Sequence, residues 1–190
     1  MPNAVRLVIV FGMNSLRPTA KTWPLWAMIF SAAMLAGAHA FEQFGRMLPC
    51  PLCLRQREMY WAAITVAVIG FIMMRRWRND RMVITVDMLL CLVFLTGAVV
   101  AGFHTGVEWG WWEGPADCSG GASLDALPRS LSDVDFSKRF ATVSCTEAAW
   151  RMFGISMAGY NTLISLGLAV ISAAFALKTI QLAPTPDDLD

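Results

Sequence analysis

Four long apolar runs, joined by two short polar stretches and one long one, dominate the pattern of hydrophobic and polar positions. They cover about residues 23–41, 54–74, 82–103 and 152–177. Each is long enough to cross a hydrocarbon core, which needs about 20 apolar residues in a helix. Backbone in lipid must form helices or a closed barrel, and these runs lack the alternation of barrel strands. The pattern therefore predicts an all-α membrane protein, a four-transmembrane-helix bundle.

The composition agrees with this fold class. The chain of 190 residues is 56% hydrophobic and 15% charged, whereas a soluble domain has about 25% charged residues. With a net charge of +1 and no nucleic-acid-binding motif, the sequence predicts the lipid bilayer as a partner and no nucleic acid. We expect one membrane domain over 23–177, between an N-terminal tail, 1–22, and a C-terminal tail, 178–190.

Positively charged residues predict the orientation of the bundle. The short loop between the second and third runs is rich in arginine, and the N-terminal tail is also basic, whereas the loop 104–151 is mainly acidic. Basic loops of membrane proteins stay in the cytoplasm. We therefore expect a multi-pass protein of the bacterial inner membrane with both termini in the cytoplasm. The loops 42–53 and 104–151 would then be two periplasmic loops.

Four of the five cysteines lie in these two periplasmic loops. Cys50 and Cys53 form a CxxC motif in the first loop, and Cys118 and Cys145 lie in the second. The periplasm is oxidising, but a CxxC pair closes too small a loop to be an effective staple. Its usual roles are redox exchange or metal binding. The pattern favours thiol–disulfide chemistry, and Cys91, inside the third run, is interpreted as a small hydrophobic residue.

Metal binding is the competing interpretation of the CxxC motif. Structural zinc sites use four ligands, commonly from two close pairs. The second cysteine pair is instead separated by 27 positions, and the two histidines, His39 and His104, lie in the first and third runs. Leu54 follows the motif where a c-type haem attachment site has histidine. We predict no metal site, with a metal- or haem-handling protein and a membrane scaffold with structural disulfides as alternatives.

Arg57 is the candidate charged partner of the CxxC motif. Cys53 lies at the predicted start of a helix, where the helix dipole favours a thiolate, and Arg57 is four residues later on the same helical face. The arginine cannot lose its charge. It would stabilise a thiolate at Cys53, an anionic intermediate or a polar ligand group. The alternative is an interfacial arginine that extends to water or to lipid phosphate.

The long loop 104–151 carries one weak helical pattern. Four apolar residues recur at intervals of three and four positions: Leu124, Leu127, Leu131 and Val134. They indicate either an amphipathic helix on the membrane surface or a helix packed within the loop. Cys118 and Cys145, near the two ends of this loop, favour an ordered segment closed by a disulfide.

The combined motifs resemble one known family. They are the CxxC motif with Arg57 four residues after it, the stretch Phe103–Cys118, the stretch Cys145–Trp150 and the stretch Gly154–Asn161. Together they are similar to the disulfide bond formation protein B family (DsbB) and its DsbI-type relatives over about 23–177. Vitamin K epoxide reductase-like proteins also combine a helix bundle with a CxxC motif, but they have it late in the chain.

The resemblance implies an enzyme, a thiol:quinone oxidoreductase of the inner membrane. It would reoxidise a periplasmic dithiol oxidase of the DsbA type and reduce a membrane quinone, ubiquinone or menaquinone. The pair Cys118–Cys145 would be attacked by the thiolate of this partner. Cys50 and Cys53 would receive the electrons and pass them to the quinone. Arg57 and, with less support, His104 would contact the quinone.

Overall fold

Four long helices make up most of the described part of the chain, residues 17–77, 79–115, 118, 141–142 and 144–183 of a computed structural model. They are α1 (Trp23–Gly45), α2 (Pro51–Arg76), α3 (Asp80–Glu108) and α4 (Met157–Leu182). All four are long and apolar enough to cross a membrane. The predicted fold class, an all-α four-helix membrane bundle, is confirmed.

Two pairs of very short strands lie outside the helices. The strands β1 (Met47–Leu48) and β2 (Ala141–Thr142) pair in parallel, and β3 (Arg151–Met152) and β4 (Ile155–Ser156) pair as an antiparallel hairpin. The β3–β4 turn has positive φ angles at Phe153 and Gly154. Because this hairpin takes up residues 151–156, α4 begins five residues later than the predicted fourth run.

The other helix ends also differ from the apolar runs. α1 continues to Gly45 beyond the predicted end at 41, and α2 begins at Pro51 before the predicted start at 54. Hydropathy marks the part of a helix that matches lipid, whereas hydrogen bonding carries the helix into the polar interface. The predicted helical pattern at 124–134 lies outside the described residues.

α3 is the central helix of the bundle. It packs against α2 and α4, while α1 packs mainly against α2. The core contains large side chains of α3, such as Leu90 and Phe94, against small residues of α2, such as Ala63 and Ala67. Large apolar side chains such as Val99 point outward, as expected for a surface that faces lipid chains.

Cysteine chemistry and helix geometry meet at the start of α2. Cys50 is the N-cap residue, and its sulfur accepts a hydrogen bond from the backbone N–H of Cys53 at 3.2 Å. Pro51 occupies the first helical position, where its missing N–H costs no hydrogen bond. The capping interaction therefore fixes the Cys50 sulfur beside the first turn of α2.

The contact between α2 and α3 depends on Gly70. A Cβ atom at this position would lie 2.5 Å from Cγ1 of Val86 on α3. We expect Gly70→Ala to destabilise the bundle by about 1–3 kcal/mol, the usual cost of overpacking, although alanine has the higher helix propensity. Unfolding in detergent, followed by circular dichroism, measures this change.

Gly167 of α4 provides the matched control. No described atom lies within 4 Å of a Cβ placed there, so Gly167→Ala should keep or raise stability by up to about 1 kcal/mol through helix propensity. Equal stability of the two alanine variants would contradict the proposed close approach of α2 and α3.

Candidate active site

The four cysteines of the two loops meet in one buried cluster. Strand β1 ends two residues before Cys50, and β2 ends three residues before Cys145. Because these strands pair in parallel, the chain leaves both at the same end of the ladder. Cys118 and Cys145 form a disulfide with a Cα–Cα distance of 5.3 Å. They pack with Cys50 and Cys53 in a single cluster.

Cys50 and Cys53 are thiols in close contact. Their Sγ atoms lie 2.6 Å apart and share a hydrogen bond. Cys50 is buried, with 2% of its surface exposed. Cys53 is partly exposed and lines a cavity inside the bundle. The motif therefore has one sulfur directed toward the cysteine cluster and one directed toward the cavity.

Cys50 is the thiol whose anion is stabilised. Its pKa falls from 9.0 to about 5, chiefly because the Cys53 side chain hydrogen-bonds to it. Burial acts in the opposite direction, and His104 lowers the pKa further. The Nε2 atom of His104 lies 3.8 Å from the Cys50 sulfur. The helix-dipole argument from the sequence pointed to Cys53 instead, because hydrogen bonds between side chains could not be read from spacing.

Arg57 connects two helices at the wall of the cavity. Its Nη1 donates to the carboxylate of Glu42 on α1 at 2.6 Å, and its Nη2 donates to the carbonyl oxygen of Ala38 at 3.2 Å. Only 16% of the Arg57 side chain is exposed. The side chain is therefore folded against α1, and its position differs from the alternative in which it extends to water.

The cavity between the helices has a volume of about 380 Å³, within the range of about 300–1,000 Å³ typical of small-molecule sites. Its walls are mainly apolar and include the neighbouring rings of Phe41 and Trp150, whose centroids are 6.1 Å apart. Polar side chains collect at one end: Cys53, Gln56, Arg57, His104 and Glu108. The structure thus brings Arg57 and His104 together with Cys53 at this end of the cavity.

A chain of buried polar side chains, which the sequence analysis missed, leads to His104. The hydroxyl of Tyr60 donates to Oδ1 of Asn161. Nδ2 of Asn161 donates to Oε1 of Gln56 at 2.5 Å, and Nε2 of Gln56 lies 2.9 Å from Nδ1 of His104. An amide in an apolar run is itself a signal of function. The residue on another helix to which the amide bonds, however, can be identified only from the packing of the helices.

The site also has the spacing of a metal centre. One ligand atom each from Cys50, Cys53 and His104 lies within 4.8 Å of the others, and these atom types bind zinc. Ligation by Nε2 requires that nitrogen to be unprotonated. The Gln56 amide nitrogen at Nδ1 favours the opposite tautomer, with the proton on Nε2. The hydrogen bonding therefore disfavours a metal ion at these three residues.

The Cys118–Cys145 disulfide is shielded in this conformation. Cys118 is 8% exposed and Cys145 is 1% exposed, and both pack against Val107 and Leu52. A disulfide that exchanges with a soluble partner has to be accessible to it. Attack on either sulfur from outside therefore requires this packing to open.

The pKa of Cys50 gives a testable pH dependence. A thiolate absorbs near 240 nm, so the reduced protein should gain absorbance as the pH rises through about 5. Cys50→Ser should remove this step. Cys53→Ala should move it upward toward the ordinary value, because the Cys53 side chain is the largest cause of the shift.

Cys91→Ser is the matched control for this titration. Cys91 is a free cysteine of α3 that packs against the core cluster of the bundle. The step near pH 5 should persist in this variant. A step that survives Cys50→Ser would show that another group titrates there.

Comparisons with known proteins identify the family. The model of the family "Disulfide bond formation protein DsbB" matches residues 20–175. The disulfide bond formation protein B of Methylococcus capsulatus is 30% identical over 155 residues, covering 82% of this chain and 93% of its own. The protein of the same name from Xylella fastidiosa is 26% identical over 178 residues, covering 90% and 98%.

Another relative gives the same assignment. The disulfide bond formation protein B of Marinobacter nauticus is 31% identical over 152 residues, covering 74% of this chain and 84% of its own. No solved structure matches at the same level of significance. With a family match over most of its length and the cysteine cluster described above, the chain belongs to the DsbB family of disulfide bond formation proteins.

Proposed function

We propose that this protein is a thiol:quinone oxidoreductase of the bacterial inner membrane. It reoxidises a periplasmic dithiol oxidase of the DsbA type and passes the electrons to a membrane quinone. One observation carries the proposal: the Cys118–Cys145 disulfide, the Cys50–Cys53 pair and the cavity follow one another without a gap. This order matches a path from a soluble donor to an acceptor in the bilayer.

The first part of the reaction is thiol–disulfide exchange. A thiolate of the reduced partner attacks the Cys118–Cys145 disulfide and forms a mixed disulfide, which the second partner thiol resolves. The partner leaves oxidised, and Cys118 and Cys145 become thiols. They in turn reduce a Cys50–Cys53 disulfide, so two electrons and two protons move to the CxxC motif. Packing of all four cysteines in one cluster supports this second exchange.

The second part takes the electrons to the cavity. A loop disulfide together with two thiols at Cys50 and Cys53 is the state from which this transfer starts. Cys50 carries the stabilised thiolate, and Cys53 borders the cavity. Oxidation of the Cys50 thiolate and the Cys53 thiol to a disulfide releases two electrons and one proton. The second proton, which Cys50 lost to water when it ionised, returns from water.

The cavity fits a quinone head group. Its volume and apolar walls suit a flat ring, and Arg57 at its polar end would hold a ring oxygen beside Cys53, with His104 next to them. A bound quinone would supply a sink for two electrons and two protons. Arg57 keeps its charge at every relevant pH, and Glu42 fixes its guanidinium at the wall. The guanidinium of Arg57 is therefore held in place before a ligand binds.

Anaerobic mixing tests the proposal. The purified protein, a reduced DsbA-type partner and ubiquinone or menaquinone are combined, and quinone absorbance is followed. Cys50→Ser and Cys53→Ser should each abolish quinone reduction, because a single cysteine cannot form the disulfide that receives and releases the two electrons. Cys118→Ser should block oxidation of the partner.

Cys91→Ser is the control, since Cys91 is a free cysteine away from the cluster, and this variant should keep the wild-type rate. Quinone reduction by Cys50→Ser, or no quinone reduction by the wild type with either quinone, would refute the proposed function.

Arg57→Ala should weaken the use of quinone while the cysteines remain oxidisable. Loss of a charged hydrogen-bond donor costs about 1.5–3 kcal/mol, so KM for quinone should rise by about tenfold or more. The matched control is Arg55→Ala. Its guanidinium is exposed and pairs with Glu58 on the outer surface of α2, and its removal should leave quinone kinetics unchanged.

A second variant separates quinone binding from stability. Arg57→Ala leaves the Glu42 carboxylate without its partner at 2.6 Å. Adding Glu42→Gln removes this isolated charge and should restore stability without restoring the KM for quinone. Wild-type kinetics in Arg57→Ala would show that Arg57 joins α1 to α2 and has no part in quinone binding.

A further inference from the structure

His104 has different neighbours at its two ring nitrogens. Nδ1 lies 2.9 Å from the amide nitrogen of Gln56. Nε2 faces the sulfur of Cys50 at 3.8 Å and the carboxylate of Glu108 at 3.9 Å. A neutral imidazole carries one proton, and the nitrogen that carries it acts as donor. The question for the site is therefore which nitrogen carries this proton.

The orientation of two amides answers this question. The hydroxyls of Tyr60 and Ser165 both donate to Oδ1 of Asn161. The NH₂ group of Asn161 consequently faces Gln56 and donates to its Oε1 at 2.5 Å. Gln56 then presents its own NH₂ group to His104. Since an NH₂ group only donates, Nδ1 must accept, and the proton lies on Nε2.

We propose that Gln56 and Asn161 are positioning residues that hold His104 in the tautomer with its proton on Nε2, directed at the sulfur of Cys50. The inference rests on the proposed function, because it concerns the thiolate of the proposed redox pair. Neither amide contacts the reacting sulfurs. Each acts through His104.

Burial strengthens the hydrogen bonds that hold the tautomer of His104. Gln56 is 7% exposed, Asn161 is 9% exposed and His104 is 4% exposed, so bulk water does not compete for their hydrogen bonds. In such an environment a reversed amide places two donors or two acceptors against each other and leaves buried polar groups unsatisfied. The three side chains come from α2, α4 and α3, and the packing of the helices therefore holds the tautomer.

The tautomer of His104 affects the ionisation of Cys50, one of the titratable groups around the imidazole. Cys50 and Glu108 face Nε2, Cys53 shares a hydrogen bond with Cys50, and Arg57 borders the same cavity, paired with Glu42. An N–H at Nε2 favours the Cys50 thiolate over its thiol, because a thiolate accepts more strongly. With the opposite tautomer, Nε2 would accept the thiol proton of Cys50. Gln56 thus determines whether Nε2 of His104 donates a hydrogen bond to Cys50 or accepts a proton from it.

Nitrogen NMR observes the tautomer directly. The chain has two histidines, so His39→Gln leaves His104 as the single signal in reduced protein with ¹⁵N-labelled histidine. We expect an unprotonated Nδ1 and a protonated Nε2. Gln56→Glu replaces the donor with a carboxylate of the same size and should give a protonated Nδ1. Gln56→Leu and Asn161→Leu should give a mixture of the two tautomers.

The second measurement is the titration of Cys50. Loss of a hydrogen bond to the thiolate should move its midpoint upward by about one unit in Gln56→Leu, a tenfold loss of thiolate below the midpoint. The matched control is Ser172→Ala. Ser172 is also buried on α4 and accepts a hydrogen bond from Trp23 at 2.8 Å, so its loss tests general loosening of the bundle. Both the tautomer and the midpoint should stay as in the wild type.

The outcomes separate this inference from the proposed function. A protonated Nδ1 in the wild type, or an unprotonated Nδ1 in Gln56→Glu, would overturn the positioning role whatever the quinone assay gives. The same tautomer shift in Ser172→Ala as in Gln56→Leu would also overturn it. Absence of quinone reduction in the wild type would instead reject the function and leave the tautomer assignment intact.

Discussion

The structure depends on the need of buried polar groups in an apolar bundle to satisfy one another. An amide without a hydrogen-bond partner in such surroundings costs several kcal/mol. The chain from Tyr60 through Asn161 and Gln56 to His104 meets this need with side chains from α2, α4 and α3. A shift of one helix past another would break it at once. The same contacts that fix the helices therefore also fix the imidazole beside Cys50.

The packing of the cysteines imposes a second constraint. Thiol–disulfide exchange between two pairs needs their sulfur atoms close together, and all four cysteines pack in one buried cluster. The same burial shields the Cys118–Cys145 disulfide from a soluble partner. A closed arrangement suits transfer between the two pairs, and an opened one suits attack by the partner.

The sequence predicts the parts of this protein that depend on local pattern. Hydropathy predicted four helices, and the CxxC motif with Arg57 four residues later predicted the site. The ends of the helices were not predictable, because Gly45 and Pro51 lie where hydrogen bonding continues beyond the apolar run. Glu42, Gln56 and Asn161 were missed for another reason. Each acquires its role from a residue on a different helix. The sequence of a single helix does not show how that helix aligns with its neighbour.

The two donors at the polar end of the cavity differ in how their charge is controlled. Arg57 is always charged, and Glu42 at 2.6 Å offsets that charge. His104 directs Nε2 at the Cys50 sulfur, and the Gln56 amide lies at Nδ1. The Arg57–Glu42 pair thus adds no net charge to a region where an isolated ion is expensive. The charge that changes there is that of Cys50, whose pKa near 5 keeps its thiol ionised at neutral pH. The charge beside the cavity therefore changes with the redox state of the CxxC motif, because a disulfide has no thiolate.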